Sequence, residues 1–168
     1  MGKHSIPLLK IDFSTGIGSI IPSTQEAFRG NVFSGTVRKE ERNSLKIFKR
    51  NLKDKLNKEI ASLRQFPTKN EIYIFITQYF ISQKEYYDRD IDNLSKTILD
   101  VLKGIFYESD SQVKVLLVCK KIEARVKHNF AYIAVKELKD NKDIEVLKMA
   151  GLERSITYYQ ELVRSGLI

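Results

Sequence analysis

The chain has 168 residues, of which 42% are hydrophobic and 30% charged, and it carries a formal net charge of +8. That size and balance predict one globular domain with a single core and room for a small appendage, and the longest apolar runs, such as Val115 to Cys119, fall far short of a bilayer span. The single cysteine, Cys119, rules out an intramolecular disulfide and a cysteine-rich zinc site, and two histidines, His4 and His128, are too few for a histidine-based metal centre.

Residues 1–36 are punctuated by Gly16, Gly18, Pro22, Gly30 and Gly35 and are expected to form strand and loop. Gly16-Ile17-Gly18 is not followed by a phosphate-binding helix pattern, so no nucleotide cofactor is expected. Met1 to Lys10 has no long apolar stretch and no small-residue cleavage site, so no signal peptide is expected and the cytoplasm is the default location.

From about Asn43 to Gln65, Leu45, Phe48, Leu52, Leu56, Ile60 and Leu63 recur at spacings of three and four, which predicts an amphipathic helix ended before Pro67. Lys46, Lys49, Arg50, Lys53 and Lys58 fill its other positions. Such a face either lies along DNA or is an ordinary solvated surface. Glu71 to Phe80 reads as a strand apolar on both sides, and therefore central. Ser82 to Asp90 reads as a polar turn. Asp92 to Lys103 returns to helical spacing, closed by Gly104. Gln112 to Lys121 and Asn129 to Leu138 read as two further strands, expected to pair antiparallel across a basic connection containing Lys120, Lys121, Arg125 and Lys127. Beyond Lys139, Asp143 to Ala150 and Ser155 to Ser165 suggest two short helices, a C-terminal appendage to a domain spanning residues 1–138. The fold class is α+β, a small mixed sheet with packed helices and a C-terminal helical extension.

Charge is segregated along the chain. Residues 37–69 carry a net +7, residues 70–111 a net −4, and residues 112–168 a net +4. A pure polyanion binder gains nothing from an acidic island between basic flanks, because carboxylates repel phosphate. A nuclease does gain, because its carboxylates hold cations that bring the phosphate in.

The island contains the groups that fit this chemistry. Asp90 and Asp92 are two apart just before the predicted helix, and Asp92 occupies the expected N-cap position. In an extended segment both would point the same way. Lys96 and Asp100 follow at spacings of four, which also fits a plain surface ladder of alternating charge. Asp110 lies eighteen residues after Asp92, where a helix and turn would return the chain to complete a three-carboxylate site. Oxygen-only ligands suit magnesium, with manganese as a plausible substitute.

The stretch Arg89-Asp90-Ile91-Asp92-Asn93-Leu94-Ser95-Lys96, the helix with its internal Asp100, and Asp110-Ser111-Gln112-Val113 together resemble the RusA family of Holliday-junction resolvases. The resemblance is strong over residues 87–120 and extends loosely over 37–138, while residues 1–36 match it only faintly. It implies a homodimer that cleaves four-way DNA junctions by symmetric nicks in a magnesium-dependent reaction. By motif position it assigns Asp90, Asp92 and Asp110 as metal ligands, Lys96 as the catalytic lysine and Asn93 as a supporting residue. Arg89, Arg38, Lys39, Arg42 and Lys46 are the expected DNA contacts. The competing readings are a non-catalytic branched-DNA-binding protein on the same fold and a nuclease of different branch specificity.

Overall fold

In a computed structural model of the chain, residues 11–22, 35–123 and 127–139 are described, with the backbone alone for 35–43. The elements run in the order β1 (Phe13–Ile17), α1 (Gly35–Ile60), β2 (Glu71–Phe80), α2 (Gln83–Tyr87), α3 (Ile91–Leu102), a single 3-10 turn (Asp110–Gln112), β3 (Val113–Ile122) and β4 (Phe130–Leu138). Contacts group Ile11–Glu137 as one unit. The expected helices at 143–150 and 155–165 lie outside the described residues. No helix among the described residues is long and apolar enough to cross a membrane.

The four strands make one mixed sheet in the order β1-β4-β2-β3. β3 runs parallel to β2, with Ile74 opposite Leu116 and Gln78 opposite Lys120, and β1 runs antiparallel to β4. Phe75 meets Tyr132 and Tyr79 stacks on Phe130, so contacts that ascend β2 descend β4, and these two strands are antiparallel. The expected β3–β4 pairing therefore does not form: β2 stands between them. The reason is apolar surface. β2 is buried along nearly its whole length, and burying it requires a strand on each edge as well as cover on its face. The sequence places β2 correctly as central but not the identity of its neighbours.

Ile72, Ile74, Ile76 and Phe80 on one face of β2 belong to the core with Leu52 and Leu56 of α1 and Leu94, Ile98, Val101 and Leu102 of α3. Each fully buried aliphatic side chain contributes about 1.5–3 kcal/mol, so this seam holds the helices on the sheet. The Lys49–Asp100 ion pair between α1 and α3, at 2.6 Å and half-exposed, adds at most about 1 kcal/mol.

Two boundaries differ from the sequence-based expectation. α1 starts at Gly35 rather than near Asn43, because Arg38 to Arg42 are strong helix formers that carry no apolar periodicity. It also ends at Ile60, before Leu63 and Phe66, which pack against the core or lie within it from the following turn. In the expected polar turn at 82–90, α2 forms because Ser82 caps it. The Ser82 hydroxyl oxygen accepts from the Glu85 N–H at 3.3 Å and donates to the Glu85 carboxylate at 2.9 Å. Ser-x-x-Glu is a helix-start signature, legible in the sequence.

Candidate active site

α3 begins where Asp90 leaves extended backbone (φ −86°, ψ 140°) and its carbonyl accepts the first helical bond from Leu94. Asp90, not Asp92, is thus the N-cap. Asp92 occupies the second helical position, where a carboxylate complements the helix dipole. The two are therefore not alternate residues of one extended segment. The Asp90 side chain makes no capping hydrogen bond, and among the described residues nothing engages the carboxylates of Asp90 and Asp92 or the Lys96 ammonium. All three are exposed. The surface ladder does not form: Asp100 turns to Lys49 of α1 instead of Lys96. Asn93 is buried at the helix start, and Ser95 donates to the Asp92 carbonyl at 2.6 Å. Thr97 donates to the carbonyl of Pro22 at 2.7 Å, tying the segment after β1 to α3.

Asp110 has a different setting. It opens the 3-10 turn before β3, and its carboxylate takes the ammonium of Lys103, the C-cap residue of α3, at 2.8 Å. The loop that carries it is held by Gln112. Gln112 Oε1 accepts from the backbone N–H groups of Glu108 (2.9 Å) and Ser109 (2.8 Å), and its Nε2 donates to the carbonyls of Thr68 (2.8 Å) and Asn70 (2.9 Å). Every hydrogen-bonding position of the amide is used. Ser109 completes a capping box with Gln112. Thr68 is itself anchored: its hydroxyl donates to the Glu137 carboxylate, which also takes the Asn70 amide at 2.8 Å. The Gln of the second motif block is thus a structural clamp on the Asp110 loop, a role that residue spacing does not reveal.

Tyr107 lies under the same corner. Its hydroxyl donates to the Leu99 carbonyl at 3.0 Å. Burial, reinforced by Asp110 and Asp100, pushes its hydroxyl pKa up to about 12. Both carboxylates therefore sit near the C-terminal end of α3. Asp90 and Asp92 sit at its N-terminal end, and twelve helical residues separate those ends by about 18 Å. The strands give the same result. Arg89, next to Asp90, meets Lys120 near the far end of β3, whereas Asp110 lies just before Val113 at the near end. Seven residues of strand span about 23 Å. One chain therefore does not gather the three aspartates, and among the described residues no set of three His, Cys, Asp or Glu side chains could hold a metal ion. In donor chemistry the set does fit a hard divalent cation: carboxylate oxygens only, two of the groups free of partners among the described residues and the third already holding an ammonium.

Of the expected DNA contacts, Lys46 is exposed on α1. Arg38, Lys39 and Arg42 fall in α1, but their side chains lie outside the described residues. Arg89 is half-buried, and that burial disfavours its charged form.

Comparison with curated proteins gives no match. Comparison with protein families gives one, the endodeoxyribonuclease RusA family, over residues 18–130. That span contains both motif blocks, α1, β2, α3 and β3, and it reaches further toward the N-terminus than the motif resemblance does. The four-stranded mixed sheet, the helix bearing Asp90, Asp92 and Lys96, and the clamped Asp110 loop are thus those of a chain that belongs to the RusA family of endodeoxyribonucleases.

Proposed function

We propose that this chain resolves four-way (Holliday) DNA junctions by paired symmetric nicks, as a homodimer that uses magnesium, or manganese in its place, at Asp90, Asp92 and Asp110. The family match over both motif blocks carries this reading. Unengaged carboxylates at the start of α3 support it, because a buried or paired aspartate would have to be freed before it could bind a cation.

A divalent cation held there would supply Lewis-acid catalysis for phosphodiester hydrolysis. The chain's own groups do the rest. Lys96, one turn after Asp92 and unpaired among the described residues, offers its ammonium to charge developing on the phosphate oxygens. Asn93 supports the helix start from its buried position. Arg89 and Lys46, with Arg38, Lys39 and Arg42 on α1, contribute positive charge toward the DNA backbone.

The second copy has a physical role in this reading. A two-fold axis near the middle of α3 and β3 sets the N-terminal end of one α3 beside the C-terminal end of the other, so that Asp90 and Asp92 meet the other copy's Asp110. One feature favours such an arrangement. β3 is an edge strand that exposes Leu116, Leu117 and Ile122, and uncovered apolar edges are templates for strand pairing.

The test uses a labelled four-way junction, a linear duplex and a flap, each with magnesium and with chelator. Paired symmetric nicks in the junction alone, lost in chelator, are expected; equal cutting of the flap or duplex overturns junction specificity. Co-expressed, differently tagged Asp92→Asn and Asp110→Asn chains test the shared site. If the site is shared, the purified mixed dimer regains one intact set of carboxylates and single-strand nicking, although each variant alone is inactive. A mixed dimer as inactive as its parents places all three ligands in one chain.

A further inference from the structure

The ammonium of Lys120 on β3 donates hydrogen bonds to two backbone carbonyls, those of Tyr86 at 2.9 Å and Arg89 at 2.5 Å. It also lies 4.5 Å from the centre of the Tyr86 ring. Among the described residues no carboxylate pairs with it. A half-buried ammonium without a carboxylate gives up hydration, and here its return comes from peptide carbonyls and a ring face.

The two carbonyls have distinct positions. Tyr86 stands in the last turn of α2, where carbonyls lack helical partners and where the dipole favours a cation. The Arg89 carbonyl belongs to the peptide bond whose nitrogen is that of Asp90. Lys120 therefore fixes the plane of the peptide from which Asp90 departs, and it joins that peptide to α2 on one side and to β3 on the other. The Asp90 side chain has no capping bond to orient it, so among the described residues its direction is set by its backbone alone. β3 itself is held in register beside β2, with Gln78 opposite Lys120.

We propose that Lys120 is a positioning residue that orients Asp90 for cation binding from behind the loop, without touching cation or DNA. This rests on the assignment of Asp90 and Asp92 as metal ligands. Residues that orient ligands from outside the coordination shell affect metal affinity about 10–100-fold.

The experiment measures Mn2+ binding to the protein without DNA by the electron paramagnetic resonance of free manganese. It measures junction binding in chelator, and its salt dependence, in parallel. Lys120→Met should weaken Mn2+ binding about tenfold or more, while junction affinity in chelator and its salt slope stay at the wild-type level. Lys120→Arg, which keeps the charge and can reach both carbonyls, should recover most of the Mn2+ affinity. Junction affinity that falls in chelator, with a shallower salt slope, would make Lys120 a phosphate contact and overturn the proposal. Wild-type Mn2+ affinity in Lys120→Met would overturn it as well. If Lys120→Met does not fold, Lys120→Gln, with a shorter neutral donor, takes its place under the same two criteria. Asp92→Asn serves as the reference. Should it bind Mn2+ like wild type, the metal assignment itself fails; should it lose Mn2+ while Lys120→Met retains it, only the role of Lys120 fails.

Discussion

The two ends of α3 carry the same functional group in opposite conditions. At the N-terminal end, Asp90 and Asp92 are exposed and, among the described residues, unengaged, on a helix start fixed through the backbone. At the C-terminal end, Asp110 is ion-paired to Lys103, its loop is clamped by Gln112, and a buried Tyr107 lies beneath. The first end is arranged for reactivity, with side chains left available. The second is arranged for precision, with a side chain whose place is fixed by its surroundings. In the proposed reading the cleaving site draws on both, and the difference indicates which substitutions should act on chemistry and which on structure.

The largest effects are expected at the N-terminal end. Asp92→Asn should reduce nicking roughly a thousandfold, and Lys96→Ala roughly a hundredfold in kcat, while junction affinity in chelator stays near wild type; losses on this scale follow removal of a group that stabilises the transition state. A Lys96→Ala chain that lost mainly affinity would mark Lys96 as a phosphate contact and blur the contrast between the ends.

Substitution at the other end should reach activity through structure. Gln112→Leu removes four hydrogen bonds and leaves two N–H groups and two carbonyls to find new partners, at a cost of about 2–4 kcal/mol in urea unfolding. Nicking should fall with it and recover partly as magnesium is raised. An unchanged unfolding midpoint would show that the loop does not depend on the clamp.

The smallest effect concerns alkaline pH. The Tyr107 hydroxyl titrates near 12 in the fold, against about 10 in an unfolded chain. A folded value above the unfolded one means that the neutral form is favoured by folding. Its contribution is complete below about pH 10 and is lost as pH rises toward 12. Tyr107→Phe gives up the bond to Leu99, about 1 kcal/mol at neutral pH, but should show a flatter stability curve between pH 10 and 12. Parallel curves for the two proteins would contradict this.

How much of this was legible in the sequence depended on the kind of signal. β2 was placed to the residue because an unbroken apolar strand has few alternatives, and α3 to within a residue because its apolar spacing is regular. α2 was missed although Ser82 and Glu85 announce it, since a polar five-residue helix carries no periodicity. The pairing of β3 and β4 was misread because adjacency in sequence suggests a hairpin, whereas both strands are drawn to β2. Motif spacing nominates the candidate site residues but not their separation: spacing along a chain is silent on which end of a helix a returning loop reaches. Gln112 and Lys120 act through side-chain contacts with backbone remote in sequence, which no local pattern encodes.

The Lys103–Asp110 pair has one more consequence. A carboxylate already holding an ammonium takes up a metal by exchange, not by simple addition. If Asp110 holds a cation as proposed, opening this largely exposed pair costs at most about 1 kcal/mol, so Lys103 neutralises the carboxylate until metal arrives without blocking it.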